Sequence, residues 1–167
     1  MKRNVCRILG CFLFAFTLCI MTPSFAKASV KNIPQTKASG TYAGNVDITG
    51  DGNADSVIIR TTPDQEGWYI NRFTIYLNGK GITEISLRGH DCYYLVAKYA
   101  KMSKQHAFIQ IIGRGENDYV TYNEIFTYNK KSNQFRVIKS FNDRSSYAEE
   151  IVTANKKGIT VKHRVQP

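Results

Sequence analysis

From Asp55 onward the chain runs as short apolar and β-branched segments punctuated by turn residues, and nowhere does it hold a 3.6-residue apolar period long enough for a helix. Such a chain can bury its apolar side chains only in sheets. The strand-like runs cover residues 55–61, 68–77, 82–87, 93–99, 106–112, 119–128, 134–141, 148–154 and 159–164. Between them, Asn78-Gly79-Lys80-Gly81, Asn129-Lys130-Lys131-Ser132-Asn133 and Asn155-Lys156-Lys157-Gly158 supply residues that tolerate positive φ, as tight hairpins require. The fold predicted is all-β, an antiparallel meander.

The runs also repeat. A shift of about 52 residues lays Ser56-Val57-Ile58-Ile59 on Phe108-Ile109-Gln110-Ile111, and Asn71-Arg72-Phe73-Thr74-Ile75-Tyr76 on Asn123-Glu124-Ile125-Phe126-Thr127-Tyr128. Residues 55–106 and 107–158 read as two blade-like four-stranded units, followed by a terminal strand. Two units are too few to close a propeller ring. A partial propeller, a face-to-face sandwich or an open barrel would each bury the apolar faces.

Ahead of this domain, Lys2, Arg3 and Arg7 precede an apolar run over residues 8–21 that is too short to span a bilayer comfortably. Ser24-Phe25-Ala26 and Ala26-Lys27-Ala28 then offer small-x-small cleavage sites. Residues 1–26 read as a signal peptide, which predicts a secreted protein with no transmembrane span after cleavage. Residues 27–40 are polar without an apolar period and read as a flexible leader, so that residues 41–167 form the single β domain.

Three of the four cysteines fall in the signal, leaving Cys92 alone and no internal disulfide. Beside Tyr93 and Tyr94 it reads as a buried thiol. Cleavage leaves 20 basic residues against 13 acidic ones, a net charge of +7. That charge suits anionic surfaces such as wall polymers, acidic glycans or lipid headgroups, and the partner expected is a glycan, a cell-wall polymer or a protein surface. The lysines come as Lys101/Lys104, Lys130/Lys131 and Lys156/Lys157, the pattern of solvated hairpin tips, and no nucleic-acid face is expected.

The most specific local pattern is Asp47-Ile48-Thr49-Gly50-Asp51-Gly52-Asn53-Ala54-Asp55, or D-x-T-x-D-G-x-x-D. Calcium takes six to eight oxygens, and alternate positions of a tightly wound loop turn side chains toward a common point. Asp47, Thr49 and Asp51 stand at positions one, three and five, Asn53 offers its carbonyl at seven, and Asp55 closes the shell at nine. Ile58 occupies the position where an EF-hand carries its bidentate Glu, so an EF-hand is excluded. The nonapeptide, leading straight into a strand, resembles the calcium loops of FG-GAP and VCBS repeats. That resemblance implies one structural Ca2+ in a strand-to-strand loop of a protein that adheres, binds or scaffolds.

Other constellations carry less. His90-Asp91, His106 and His163 stand at no catalytic spacing, and Glu116-Asn117-Asp118 reads as a polar connection. Trp68, Tyr69, Tyr119 and Tyr122 fall at near-equivalent places in the two units and are read as one ligand-contacting aromatic surface. The function expected is that of a secreted, calcium-binding, non-enzymatic interaction module. Two alternatives stay open: an accessory domain or fragment of a secreted glycan-acting hydrolase, and a structural subunit that self-associates through a sheet edge.

Overall fold

A computed structural model describes residues 30–103, 106–141, 148–155 and 158–164; the expected signal peptide lies outside them. Each of the nine predicted runs is a strand, and two further strands precede them. In chain order the strands are β1 Val30–Ile33, β2 Thr41–Val46, β3 Asp55–Pro63, β4 Ile70–Leu77, β5 Lys80–Ser86, β6 Tyr94–Ser103, β7 His106–Arg114, β8 Val120–Asn129, β9 Gln134–Ser140, β10 Ala148–Asn155 and β11 Gly158–Arg164. Among the described residues the helical content is one 3-10 turn, Glu116–Asp118, and no helix is long and apolar enough to cross a membrane.

All strand pairs are antiparallel. β2, β3, β4 and β5 form a four-stranded meander; β6, β7, β8 and β9 form a second, with β1 added on its β6 edge; β10 pairs with β11 in a separate hairpin. The β4–β5 turn has the predicted chemistry: Asn78 and Gly79 both take positive φ, 50° and 83°, the conformation that makes a tight turn follow the twist of its strands.

Alternation along the strands then dictates the packing. Val57 and Ile59 of β3 and Phe73 and Ile75 of β4 are fully buried, and they share one cluster with Leu95, Ile109, Ile111, Tyr122 and Phe126 of the other sheet. The sheets therefore stack face to face as a sandwich and are not closed into a barrel. Phe73 sits at the centre, edge-on to Tyr122 at 5.8 Å and to Phe126 at 6.2 Å between ring centroids. Polar bonds cross the same gap: the Leu95 N–H donates to Tyr42 Oη (3.0 Å) and the Phe135 N–H to Thr83 Oγ1 (2.8 Å).

The five-stranded sheet is buried on its other face as well. Phe108, Gln110 and Ile112 alternate with the inward residues of β7 and are all buried, as are Asn123 and Ile125 of β8. β10 lies against β1, β6, β7 and β8 without pairing with them, which places the β10–β11 hairpin across this face. The near-continuous apolar run of β7 reflects this double burial, and the Gln110 side-chain amide entering it donates to Asn123 Oδ1 at 2.8 Å.

Three expectations change. Part of the expected leader, Val30–Ile33, is a strand paired with β6, with Ile33 3% exposed; four residues are too short for an alternation to register in sequence. The repeat has the predicted four strands but a different frame, because β2 opens the first sheet and the chain crosses to the second sheet before β6. Consequently β6 begins the second unit, and β10 leaves it. Finally, the step of 52 carries the inward residues of β3 onto those of β7 but fails between β4 and β8. Phe73 corresponds in facing to Tyr122 and Phe126 and not to Ile125, since Phe73 pairs with Thr61 whereas Tyr122 pairs with Gly113, which sets β8 three residues out of step with β4, and an odd slip turns every side chain over.

Phe73→Ala should remove about 3–5 kcal/mol of stability, read by equilibrium denaturation. A loss below about 1 kcal/mol would mean that the two sheets do not close on this ring.

Candidate functional site

The loop over residues 47–55 joins β2 to β3 and winds tightly, with Gly50 and Gly52 at φ 74° and 96°, conformations open to glycine without strain. Its carboxylates point to different partners. Asp55 is 5% exposed, and both of its oxygens are taken. Oδ2 accepts the backbone N–H groups of Ile48 (3.0 Å) and Thr49 (2.9 Å), while Oδ1 accepts the Asn78 side-chain amide (3.1 Å). Asn78 in turn accepts the Ser56 N–H at 2.9 Å, which ties the β4–β5 turn to the loop.

Asp47 is treated similarly. Its oxygens accept the N–H groups of Gly50 (2.7 Å) and Gly52 (3.1 Å), and Lys101 of β6 places its ammonium on Oδ2. The Lys101 hydrogen bond and charge hold this carboxyl below its ordinary range, with the two amides adding to the effect. Lys101 is thus not the solvated tip residue that its spacing to Lys104 predicts. Tyr99, two residues earlier on the same face of β6, donates its hydroxyl to the Asp47 carbonyl at 3.1 Å. Burial, then the charges of Asp47 and Asp55, push that phenol up to about 12.

Asp51 is exposed and accepts the Asn53 N–H at 2.8 Å. Thr49 Oγ1 is buried and makes no hydrogen bond. The five predicted metal residues are therefore neighbours along a tight turn in which the oxygens of Asp47 and Asp55 are committed to other partners. Among the described residues no three Asp, Glu, His or Cys side chains are grouped to hold a metal ion. Calcium needs six to eight inward oxygens, and the donor set does not fit it while Asp55 is saturated and an ammonium sits on Asp47.

A second feature lies where the chain crosses between the sheets. A groove of about 430 Å3 is walled by Trp68, Tyr69, Tyr93 and Tyr94, with Tyr42 and Ile70 at its base and Gln35, Ser39 and Thr61 on its rim. Trp68 is 67% exposed, yet the backbone that carries it is tied down. Asp64 accepts the N–H groups of Trp68 (2.9 Å) and Tyr69 (3.3 Å), and the Asp64 N–H donates to the Tyr69 carbonyl at 2.8 Å. The opposite wall is fixed by Ile70 N–H to Cys92 O and Tyr93 N–H to Arg114 O, both 2.7 Å. The rings of Tyr69 and Tyr93 lie 5.1 Å apart.

The groove lining carries no charged side chain. Tyr42 and Tyr94 stay protonated at neutral pH, because burial raises both phenols and the Asp118 carboxylate, which accepts the Tyr94 hydroxyl, raises Tyr94 further. What the groove offers is aromatic faces surrounded by neutral donors and acceptors.

Of the four aromatics predicted to form one surface, Trp68 and Tyr69 line this groove. Tyr119 is exposed and follows Asp118 in the chain. Tyr122 is turned into the core against Phe73, its hydroxyl on Glu124, because β8 shares the inward face of Phe126. Tyr93 and Tyr94 take its place; two adjacent tyrosines at a strand start were the available signal, since neighbours on a strand cannot both face the core.

The remaining candidates are structural. His90 sets Nδ1 2.6 Å from the Thr121 carbonyl and packs edge-on to Tyr122. Cys92 is fully buried, as its surroundings predicted; its thiol donates to the Tyr94 carbonyl, and burial pushes it up to about 11. Gly113 and Gly115 reflect close packing here, as a Cβ at Gly113 would lie 2.9 Å from Cys92 Sγ and one at Gly115 2.6 Å from the Asp91 carbonyl.

Comparison with protein-family models, with curated proteins and with solved structures yields no match. The likeness to FG-GAP and VCBS repeats therefore stands on this chain's own residues.

Two outcomes follow from this geometry. Asp55→Ala strands two backbone amides and the Asn78 side chain and should cost about 2–4 kcal/mol, measured by chemical denaturation; a near-neutral effect would mean water replaces the carboxylate freely. Cys92 should resist alkylation at pH 8 in the native protein and react once unfolded, since its thiolate forms only near pH 11. Rapid labelling of the native state would contradict the burial.

Proposed function

We propose that this protein is an exported, non-enzymatic binding module whose aromatic groove holds a neutral stretch of glycan, such as a segment of wall polymer. The observation that carries the reading is Trp68, a large ring left mostly in solvent on a loop whose backbone is held by Asp64, lining one groove with Tyr93 and Tyr94. Sugar rings have apolar faces edged by hydroxyls. An aromatic platform rimmed by Gln35, Ser39 and Thr61 meets both parts of that surface without desolvating a charge.

Export is supported by the basic, apolar, small-x-small order of residues 1–26. The basic balance of the mature chain favours residence on an anionic surface, which raises the local concentration of polymer around the groove. Calcium has no part in this reading, since the oxygens of Asp47 and Asp55 already have partners. Self-association through β9 is disfavoured: this outermost strand exposes Val137 and Ile138, but Arg136 and Lys139 flank them and would repel a second copy.

Trp68 is the chain's one tryptophan, so its emission reports on the groove directly. Titration with soluble wall-derived oligosaccharides should shift that emission, and co-sedimentation with purified wall polymer should weaken about tenfold, about 1.4 kcal/mol, in Trp68→Ala. Tyr119→Ala, outside the groove lining, should retain binding. Unchanged sedimentation of Trp68→Ala would overturn the assignment of the site.

A further inference from the structure

We propose that Lys101 is the cation of the acidic loop, a tethered ammonium standing where loops of this spacing hold a divalent ion. The loop has the glycine-bent winding of a calcium loop and a carboxylate at its first, fifth and ninth positions. Its first carboxylate, however, is met by Lys101 from the facing sheet. The Asp47 side chain is only 9% exposed, and the Lys101 side chain 32%. A carboxylate so enclosed requires a compensating charge, and among the described residues Lys101 is the cation in contact with it.

Placement of Lys101 is not accidental to its strand. Tyr99 stands two residues earlier, on the same side of β6, and its hydroxyl reaches the Asp47 carbonyl. Side chain and main chain of Asp47 are thus gripped together from one face of the second sheet. Asp55, at the ninth position, has its oxygens committed to two backbone amides and Asn78. A divalent ion at the loop centre would meet the Lys101 charge at a few ångströms, where like charges repel strongly in a partly buried setting. Two oxygens show what the ammonium leaves unused: Thr49 Oγ1, buried without a partner, and the second oxygen of exposed Asp51.

The loop is therefore a calcium-type turn made independent of calcium by one side chain, and the strap it forms between β2–β3 and β6 persists under chelation. Removing the ammonium without removing its bulk should reverse this. In Lys101→Met, Asp47 and Asp51 repel, Thr49 Oγ1 is available, and a hard divalent cation is the natural replacement.

Thermal unfolding of the full mature chain in chelator and in millimolar calcium tests the proposal. Wild type should melt at the same temperature in both. Lys101→Met should melt several degrees lower in chelator and recover with calcium but not with equal magnesium, whereas Lys101→Arg should keep wild-type behaviour. A wild-type midpoint that rises with calcium overturns the proposal, as does a Lys101→Met protein as stable in chelator as wild type. Should Lys101→Met fail to fold, calcium calorimetry on wild type and Lys101→Arg decides: heat of binding to either one refutes a resident ammonium.

Discussion

Each meander has one strongly apolar face, and neither face can be left in water, so the two sheets must cover one another. Among the described residues no disulfide shares that task, because Cys92 is a free thiol. Burial alone holds the domain, and it centres on Phe73, whose ring meets Tyr122 and Phe126 from the opposite sheet. Everything else is located by that stacking. It brings β6 opposite the β2–β3 turn, so that Tyr99 and Lys101 reach Asp47, and it forces the chain to cross between sheets at the end where the groove lies.

Much of this was legible from residue order alone. Nine strands, the hairpin chemistry of Asn78-Gly79 and the four-strand repeat could be read because they depend on neighbours in sequence. β1 and β2 could not. Gly44 interrupts the alternation of β2, and only in the fold does it lie against Ile33 of β1, where a Cβ would sit 3.4 Å from that side chain. Neither strand declares itself without the other. The frame of the repeat was lost with them, and a constant shift could not anticipate that β8 pairs three residues out of step with β4, which turns Tyr122 inward.

The acidic loop shows where local pattern stops informing. Spacing and glycines correctly indicated a tight turn with carboxylates crowded into it. Crowded carboxylates need compensation, but sequence spacing is silent on what provides it. Asn78 comes from the next hairpin and Lys101 from the other sheet, 23 and 54 residues away. A metal ion and the ammonium of a lysine from another strand satisfy the same electrostatic demand, and spacing along the chain does not distinguish them.

The groove obeys a different logic from the core. A ring buried between sheets is replaceable only by something of the same volume, whereas Trp68 contributes little to closing the sandwich and is retained on a loop anchored by Asp64. That division would let the proposed binding surface change without disturbing Phe73 and its neighbours. It also limits how the site can work. Walls fixed by main-chain bonds to Asp64, Cys92 and Arg114 leave little ordering to be done when a ligand arrives, so affinity rests on the rings themselves and the cost of binding falls mainly on the ligand. A polymer already stiff in solution is therefore the partner that the proposed binding groove would discriminate best.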